Sequence, residues 1–592
     1  MRRAWQRGGW LGCGMLVALV VLAGPLQAQQ SSDTRPPEAA SARIAGAKSA
    51  TGKHWMVTAA NPLAAEAGAQ VLREGGSAID ALVATQLVLG LVEPQSSGLG
   101  GGAFLVYWDA EQSRLTTFDG RETAPRAATP TLFQDAAGAP LAFMDAVIGG
   151  RSVGTPGTPR LLETVHRRYG RLAWSRLFRP AIRLAQEGFA VSPRLEELIA
   201  GDVETLKRDG AARAYFLDAD GAPLKAGTVL RNPAYARTLQ ALSEGGADAF
   251  YRGPLAGEIV RKVHEAANPG LLATEDLRDY RVKERTPVCG SYRGLEVCGM
   301  GPPSSGALTI GQILGMLDAY DLTALGPQSP EAWRLIADAS RLAFADRERY
   351  MADEDYVPMP TRGLLARDYL AARARLLAGD DALPEVAPGT PTWDHAMAAP
   401  ARADGNAPEL PCTTQITIVD AEGNVVSMTS TIEAGFGSRL MVGGFLLNNE
   451  LTDFSFRSQK DGVPVANRVE PGKRPRSSMS PTIVLKDGKP LLALGSPGGS
   501  QIIGYVAKTL IARFDWGMPI AEAIAAPNVL ARFNAVEIEE GSGAQALEPA
   551  LRGLGFEVRA MPMTSGVQAV EIGPDGLTGA ADPRREGVAI GE

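Results

Sequence analysis

The sequence predicts an α+β protein, and two observations carry that expectation. From about residue 160 to 285 the chain is charged and helix-patterned. Beyond a Pro/Ala/Gly/Asp-rich stretch at 382–411 it changes to alternating strands with glycine-rich turns. The 592 residues suffice for one large layered enzyme or roughly three or four average domains. With 45% hydrophobic and 21% charged residues, the composition excludes a disordered or membrane-embedded chain. The 67 glycines and 41 prolines predict many tight turns and a loop-rich site.

The elements follow in order. Residues 1–28, MRRAWQRGGWLGCGMLVALVVLAGPLQA, set three arginines before an apolar stretch ending in small residues. This is the pattern of a secretory signal peptide cut after Ala28, which implies a periplasmic or secreted protein. The alternative is a retained anchor, against which the short apolar core argues. Residues 29 to about 50 read as a polar leader. Asn61-Pro62 caps and starts a helix through about Leu72, and Ser77 caps a second, IDALVATQLVLGLV, apolar on nearly every face and therefore buried. In SSGLGGGAFLVYW the glycines Gly98 and Gly100–Gly102 read as a close-packed turn feeding a strand; no Lys-Ser/Thr follows them, so phosphate binding is the weaker reading. Ser329 and Pro330 open a helix over SPEAWRLIADASRLAFADRERY. The 382–411 stretch reads as a long exposed linker, where chains are cut.

Charge and rare residues narrow the chemistry. The formal charge is −7, and losing Arg2, Arg3 and Arg7 with the signal takes it to −10, which argues against nucleic-acid partners. His54, His166, His264 and His395 are mutually distant, which argues against a histidine-built metal site, and none follows residue 395. Catalysis in the last third must find its base elsewhere. Cys13 leaves with the signal. TPVCGSYRGLEVCGM reads as two short strands about Arg293-Gly294, with Cys289 opposite Cys298; a disulfide and two packed thiols are both open.

After Cys412 comes TTQITIVDAEGNVVSMTSTIE. Ala421-Glu422-Gly423 suits a three-residue hairpin loop with glycine in the left-handed position. Symmetric pairing about Glu422 sets Ile416 against Met428 and Ile418 against Val426 on a buried apolar face. The other face sets Thr417 against Ser427, Gln415 against Thr429 and Thr413 against Thr431. A threonine made N-terminal carries its own base, because an α-amine has a pKa near about 8 and can take the hydroxyl proton during attack on a carbonyl. The plain alternative is a threonine-rich strand. In LLALGSPGGSQIIGYVAKTLIARF a strand runs through Gly495–Gly499 into a helix, and backbone N–H groups at such a turn can hold an oxyanion; an ordinary strand-to-helix turn is the alternative. Between these lie the acidic Asn448–Phe454 stretch and the donor-rich Lys473–Met479 turn, suited to the ammonium and carboxylate of an amino-acid zwitterion.

Together TTQITIVDAEGNVVSMTSTIE, FGSRLMVGGFLLNNELTDFS, KRPRSSMSPTIV and GSPGGSQII resemble the gamma-glutamyltransferases, as do GLGGGAF, FDGRETAPRAA, GTPG (154–157) and MGPPSSG (300–306) in the first half. The resemblance spans the whole mature chain in the family's order. It implies an N-terminal-nucleophile hydrolase fold, with stacked antiparallel β-sheets sandwiched between α-helical layers. It implies self-cleavage between Cys412 and Thr413, giving a large subunit 29–412 and a small catalytic subunit 413–592 that form a heterodimer. It also implies γ-glutamyl transfer from glutathione or related compounds to water, an amino acid or a peptide, with no metal or cofactor. By motif, Thr413 is the nucleophile, Thr431 its hydrogen-bonding neighbour, and Gly498 and Gly499 the oxyanion hole. Arg121, Ser477 and Ser478 hold the substrate α-carboxylate, while Glu450 and Asp453 hold the α-ammonium. The bland readings are a surface ion pair for Arg121 and a helix or turn cap for Asp453.

Departures from the family's pattern fall at Gln415, where many relatives have histidine, and at Glu433, where a common form has asparagine. Glu433 is expected on the face of Thr431, about 7 Å further along the strand, pointing toward Asp453 as a further substrate-binding carboxylate. Residues 454–476 match a segment that covers the pocket as a lid in some relatives. Two rival functions remain: a beta-lactam acylase cleaving glutaryl-type side chains on the same fold, and an exported binding protein that never self-cleaves.

Overall fold

The computed structural model describes residues 48–393, 400–405, 407 and 412–592. The signal segment, the start of the leader and His395 lie outside the described residues.

The Thr413 hairpin forms the centre of a seven-stranded antiparallel sheet. Its order is Val588–Gly591, Met56–Ala59, Thr413–Val419, Val425–Thr431, Gly102–Asp109, Arg114–Gly120, Lys283–Arg285. The register matches the symmetric expectation residue for residue, from Val419 opposite Val425 to Thr413 opposite Thr431. Gly423 takes the left-handed turn position at φ 84°. The Asp420 carboxylate accepts the N–H groups of Glu422 and Asn424 and so closes the loop.

A second antiparallel sheet stacks on the first, in the order Lys48–Gly52, Gly576–Ala581, Gln568–Gly573, Lys489–Gly495, Thr482–Lys486, Leu295–Gly299, Val288–Tyr292. The layers sort by residue parity along the hairpin. Ile416, Ile418, Val426 and Met428 face helices Pro62–Arg73 and Ala78–Val92, the second buried at every position as its apolar sequence requires. The opposite face meets the second sheet: Val419 and Val425 pack with Ile483, Ala493 and Val570. Toward Thr413 that interface turns polar. Thr417 Oγ donates to the Gln568 carbonyl and Ser427 Oγ to the Leu494 carbonyl, so the buried hydroxyls are satisfied across the sandwich. Helices Gly306–Leu317, Pro330–Tyr350 and Ile502–Phe514 cover the outer face of the second sheet. The α+β layering is the one the resemblance implies.

Cys289 and Cys298 are paired as a disulfide across a hairpin turned by Arg293 and Gly294, both at positive φ. Of the linker stretch, residues 382–393 are mostly exposed or half-buried, as expected, yet tied down. Its first part is laid on the helical layer: the N–H groups of Leu383 and Gly389 donate to the carboxylates of Asp338 and Asp346. At its far end Cys412 is fully buried. The Cys412–Thr413 bond is therefore inside the fold rather than on an exposed loop. Docking to buried aspartates ties down Leu383 and Gly389 in a stretch that reads as linker by composition.

Candidate active site

Thr413 begins the central strand at the mouth of the sandwich, 3% exposed. Its Oγ lies 3.5 Å from Thr431 Oγ, directly across the hairpin. Thr431 Oγ donates to the Cys412 carbonyl at 2.8 Å and accepts the Glu433 N–H at 2.8 Å. A hydroxyl has one proton, so with Thr431 donating to Cys412 the Thr413 hydroxyl is the donor of the threonine pair. Gly101 allows this crowding, since a Cβ there would lie 1.9 Å from the Thr431 carbonyl oxygen. That agrees with a structural glycine turn.

A small cleft opens from Thr413, lined by Arg121, Thr431, Glu433, Glu450, Asp453, Ser477, Ser478, Gly499 and Ile502 among others. Gly498 is the one predicted site residue besides Cys412 that does not line it; it stands behind Gly499 at φ 136°, against the Tyr505 ring. Gly499 has φ 56° and opens the short turn before helix Ile502–Phe514. No protein acceptor among the described residues takes the N–H of Gly498 or Gly499. Both remain available to an oxyanion.

One wall is acidic. Glu450 and Asp453 sit on a short 3-10 turn, and both carboxylates grip Arg121, which is buried rather than a surface residue. Asp453 ends that turn, but its carboxylate is committed to Arg121 Nη2 at 2.5 Å. The guanidinium also donates to the carbonyls of Pro475 and Arg476. Glu122, which the sequence reading missed, is fully buried beside this group, 4.0 Å from Arg121. Burial pushes the Glu450 carboxyl well up and Glu122 up to about 7, against the pull of Arg121. Three carboxyl groups, those of Glu450, Asp453 and Glu122, thus surround one guanidinium.

Glu433 is part of that wall, by another route than strand alternation. The strand ends at Thr431, and Glu433 takes φ 75°, which turns the chain out of the sheet. Its carboxylate accepts from Asn449 Nδ2. Asn449 was another unmarked residue; an amide beside an acidic pair was the only sequence signal. Gln415 is buried behind Thr413, accepting from Thr429 Oγ at 2.6 Å and donating to Ser427 Oγ at 3.0 Å. It is a structural tie within the polar layer. Residues 454–476 line none of the cleft. Phe456 anchors that segment by stacking on Phe133, ring centroids 4.6 Å apart.

A second part of the lining is the Ser477–Ser478 turn, which pairs with Ser304 of the MGPPSSG motif. Sequence and geometry thus converge on a threonine pair beside an acidic wall and a serine turn. The gamma-glutamyltranspeptidase family model matches residues 64–592. The chain belongs to the gamma-glutamyltranspeptidase family. Like other members of that family, it is an enzyme with the N-terminal-nucleophile hydrolase fold. The glutathione hydrolase proenzyme of Bacillus subtilis (strain 168) is 38% identical over 91% of this chain and 92% of that protein. The acylase ACY 1 proenzyme of Pseudomonas sp. (strain V22) is 35% identical over 92% of this chain and 94% of that protein. Among solved structures, cephalosporin acylase from Bacillus halodurans superposes with a TM-score of 0.81 at 26% identity, covering 93% of this chain and 98% of that one. Within the gamma-glutamyltranspeptidase family, overall similarity alone therefore does not choose between γ-glutamyl and other acyl substrates. The cleft walls must.

Proposed function

We propose that this gamma-glutamyltranspeptidase-family enzyme is a self-processing glutathione hydrolase and γ-glutamyltransferase with Thr413 as its nucleophile. The observation that carries the reading is the Thr413–Thr431 pair at the mouth of a cleft with acidic and serine walls. In the precursor, Thr413 Oγ attacks the Cys412 carbonyl carbon while Thr431 holds the carbonyl oxygen. The C–N bond breaks, an ester forms, and water hydrolyses it to free the Thr413 amine and the Cys412 carboxylate. Subunits 29–412 and 413–592 stay together as a heterodimer, because the small-subunit hairpin is flanked in its sheet by Met56–Ala59 and Gly102–Asp109 of the large one. Cleavage of residues 1–28 as a signal would deliver the enzyme to the periplasm or beyond.

In turnover the free amine takes the Thr413 hydroxyl proton as Oγ attacks the γ-carbonyl of the donor. Gly498 and Gly499 N–H groups hold the oxyanion. The leaving amine departs with a proton, and water, an amino acid or a peptide then cleaves the γ-glutamyl ester. Glu433, Glu450 and Asp453 hold the donor α-ammonium. Ser477 and Ser478 hold its α-carboxylate, while Arg121, expected from the motif to join them, is committed to Glu450, Asp453 and two backbone carbonyls and fixes the acidic wall instead.

A second reading, glutaryl-type acylase, is favoured by the acylase relatives. It leaves the acidic wall without a purpose, because a glutaryl group is a γ-glutamyl group lacking the ammonium. The test is kcat/KM for γ-glutamyl and glutaryl p-nitroanilides. An ammonium paired with buried carboxylates should favour the γ-glutamyl donor at least ~30-fold, from a pair worth about 2 kcal/mol or more. A preference for the glutaryl donor would make the chain an acylase.

A further inference from the structure

Arg347 lies outside the cleft, on helix Pro330–Tyr350, and is 1% exposed. Its guanidinium joins the two turns that build the serine wall. Nε donates to Ser305 Oγ at 2.9 Å, and Nη2 donates to Ser478 Oγ at 2.7 Å. A guanidinium has N–H donors and no acceptor, so both hydroxyls must receive. Ser305 passes its own proton to the Ser477 carbonyl at 2.7 Å. Ser478 still has its proton, and no protein group among the described residues accepts it. Ser477 is in the same state: its Oγ accepts the Met479 N–H at 3.1 Å and gives its proton to no described protein group. Both serines line the cleft.

We propose that Arg347 is a positioning residue that fixes the Ser478 hydroxyl as a donor to the substrate carboxylate, building the anion pole of the cleft. The inference rests on the γ-glutamyl reading only for the identity of that carboxylate. Charge supports it. Arg347 and Arg476 both pair with Glu348, at 2.7 and 2.8 Å, which places two guanidinium groups against one carboxylate behind the serines. Glu433, Glu450 and Asp453 line the same cleft. The cleft thus carries excess positive charge behind Ser478 and, with Glu433, Glu450 and Asp453 beside the one guanidinium of Arg121, excess negative charge near Asp453. That polarity suits the two charged groups on one α-carbon. Without Arg347, Ser478 Oγ becomes a free rotor that can turn its proton to a backbone carbonyl instead. A buried guanidinium also adds attraction for an anion that a serine turn alone lacks.

Three anilide donors separate the two poles: γ-glutamyl carries both charges, glutaryl carries only the carboxylate, and 4-aminobutyryl carries only the ammonium. Arg347→Met, purified as the two-chain enzyme, should raise KM for the γ-glutamyl and glutaryl anilides at least ~10-fold, the effect of one hydrogen bond to a charged group. It should leave KM for the 4-aminobutyryl anilide, and kcat for all three, within about 3-fold, a small change on the same scale. Arg347→Lys, which keeps a donor and the charge, should recover most of the loss. Ser478→Ala should show the same carboxylate selectivity, and combining it with Arg347→Met should add little. An equal KM rise for all three donors, or a fall in kcat alone, would overturn the proposal. If Arg347→Met does not assemble, the Lys and Ser478→Ala variants decide in its place: a carboxylate-selective change in KM supports the proposal, and indifference refutes it. A wild type that prefers the glutaryl anilide would refute the γ-glutamyl reading, while the Arg347 comparison on that anilide still decides this one.

Discussion

Thr431 gives its proton to the Cys412 carbonyl at 2.8 Å, and this one bond sets the polarity of the site. Thr413→Ala removes the only attacking oxygen, so the variant should run as a single inactive chain on a denaturing gel. Thr413→Ser keeps hydroxyl and amine and should retain part of both processing and turnover. At Glu433 the turn out of the strand holds a carboxylate in the acidic wall, so Glu433→Gln should raise donor KM and leave the acidic limb of kcat/KM in place. A one-unit shift of that limb with unchanged KM would mean that Glu433 acts on the Thr413 amine instead. The acidic wall predicts a pH dependence as well. Burial raises Glu450 and, to about 7, Glu122, so the empty site holds protons in mildly acidic solution. An ammonium favours the ionised carboxylates, so donor KM should fall as pH rises through about 7, and Glu122→Gln should flatten that slope. For folding the sign is opposite. A raised carboxyl pKa stabilises the ligand-free enzyme at low pH and loses that contribution as pH climbs from about 4.5 to about 7. Melts of the Glu122→Gln enzyme across that window should lose the corresponding decline. The threonine pair was legible because both members flank one turn. Glu122 and Arg347 were not, because their meaning comes from tertiary burial against groups far off in sequence.

The two elements that shape the chemistry are the Thr413 hairpin and the Gly495–Gly499 turn. The hairpin was readable to the residue: turn glycine, alternation and length agree on one register, and a one-residue slip would put Ile416 and Ile418 into the polar layer. The second turn was readable as strand-to-helix, but its strain was not. Gly498 sits at φ 136°, and a Cβ there would lie 2.6 Å from the Tyr505 ring. Gly498→Ala should therefore tilt the turn and misdirect the oxyanion donors. Loss of one such donor typically costs about 10²–10³ in kcat. Steady-state kinetics at saturating donor should show most of the loss in kcat, with the two-chain pattern intact. Glu433 marks the limit of periodic reasoning, since alternation stops counting once a residue at positive φ ends the strand. The 454–476 segment shows the same limit: Phe456 fixes it beside Phe133, which sequence spacing could not reveal.

On the scale of the whole molecule, neither side of the Cys412–Thr413 bond holds a complete sheet. Strands from both sides of the Cys412–Thr413 bond share each seven-stranded sheet, and helices from both cover the second. Composition and motif order gave the class of fold, but not this interleaving, because strand order across long crossovers leaves no local pattern. The interleaving would let the proposed cut leave the fold intact, because strand Thr413–Val419 pairs with both Met56–Ala59 and Val425–Thr431. The full burial of Cys412 argues against an outside protease as the agent of that proposed cut. The most direct measurement is the intact mass of the small chain after brief reaction with a γ-glutamyl anilide and an acid quench. The account predicts a chain that starts at Thr413 and gains one γ-glutamyl group, attached to that residue. A single unprocessed chain, a different first residue, or a γ-glutamyl group carried elsewhere would contradict it.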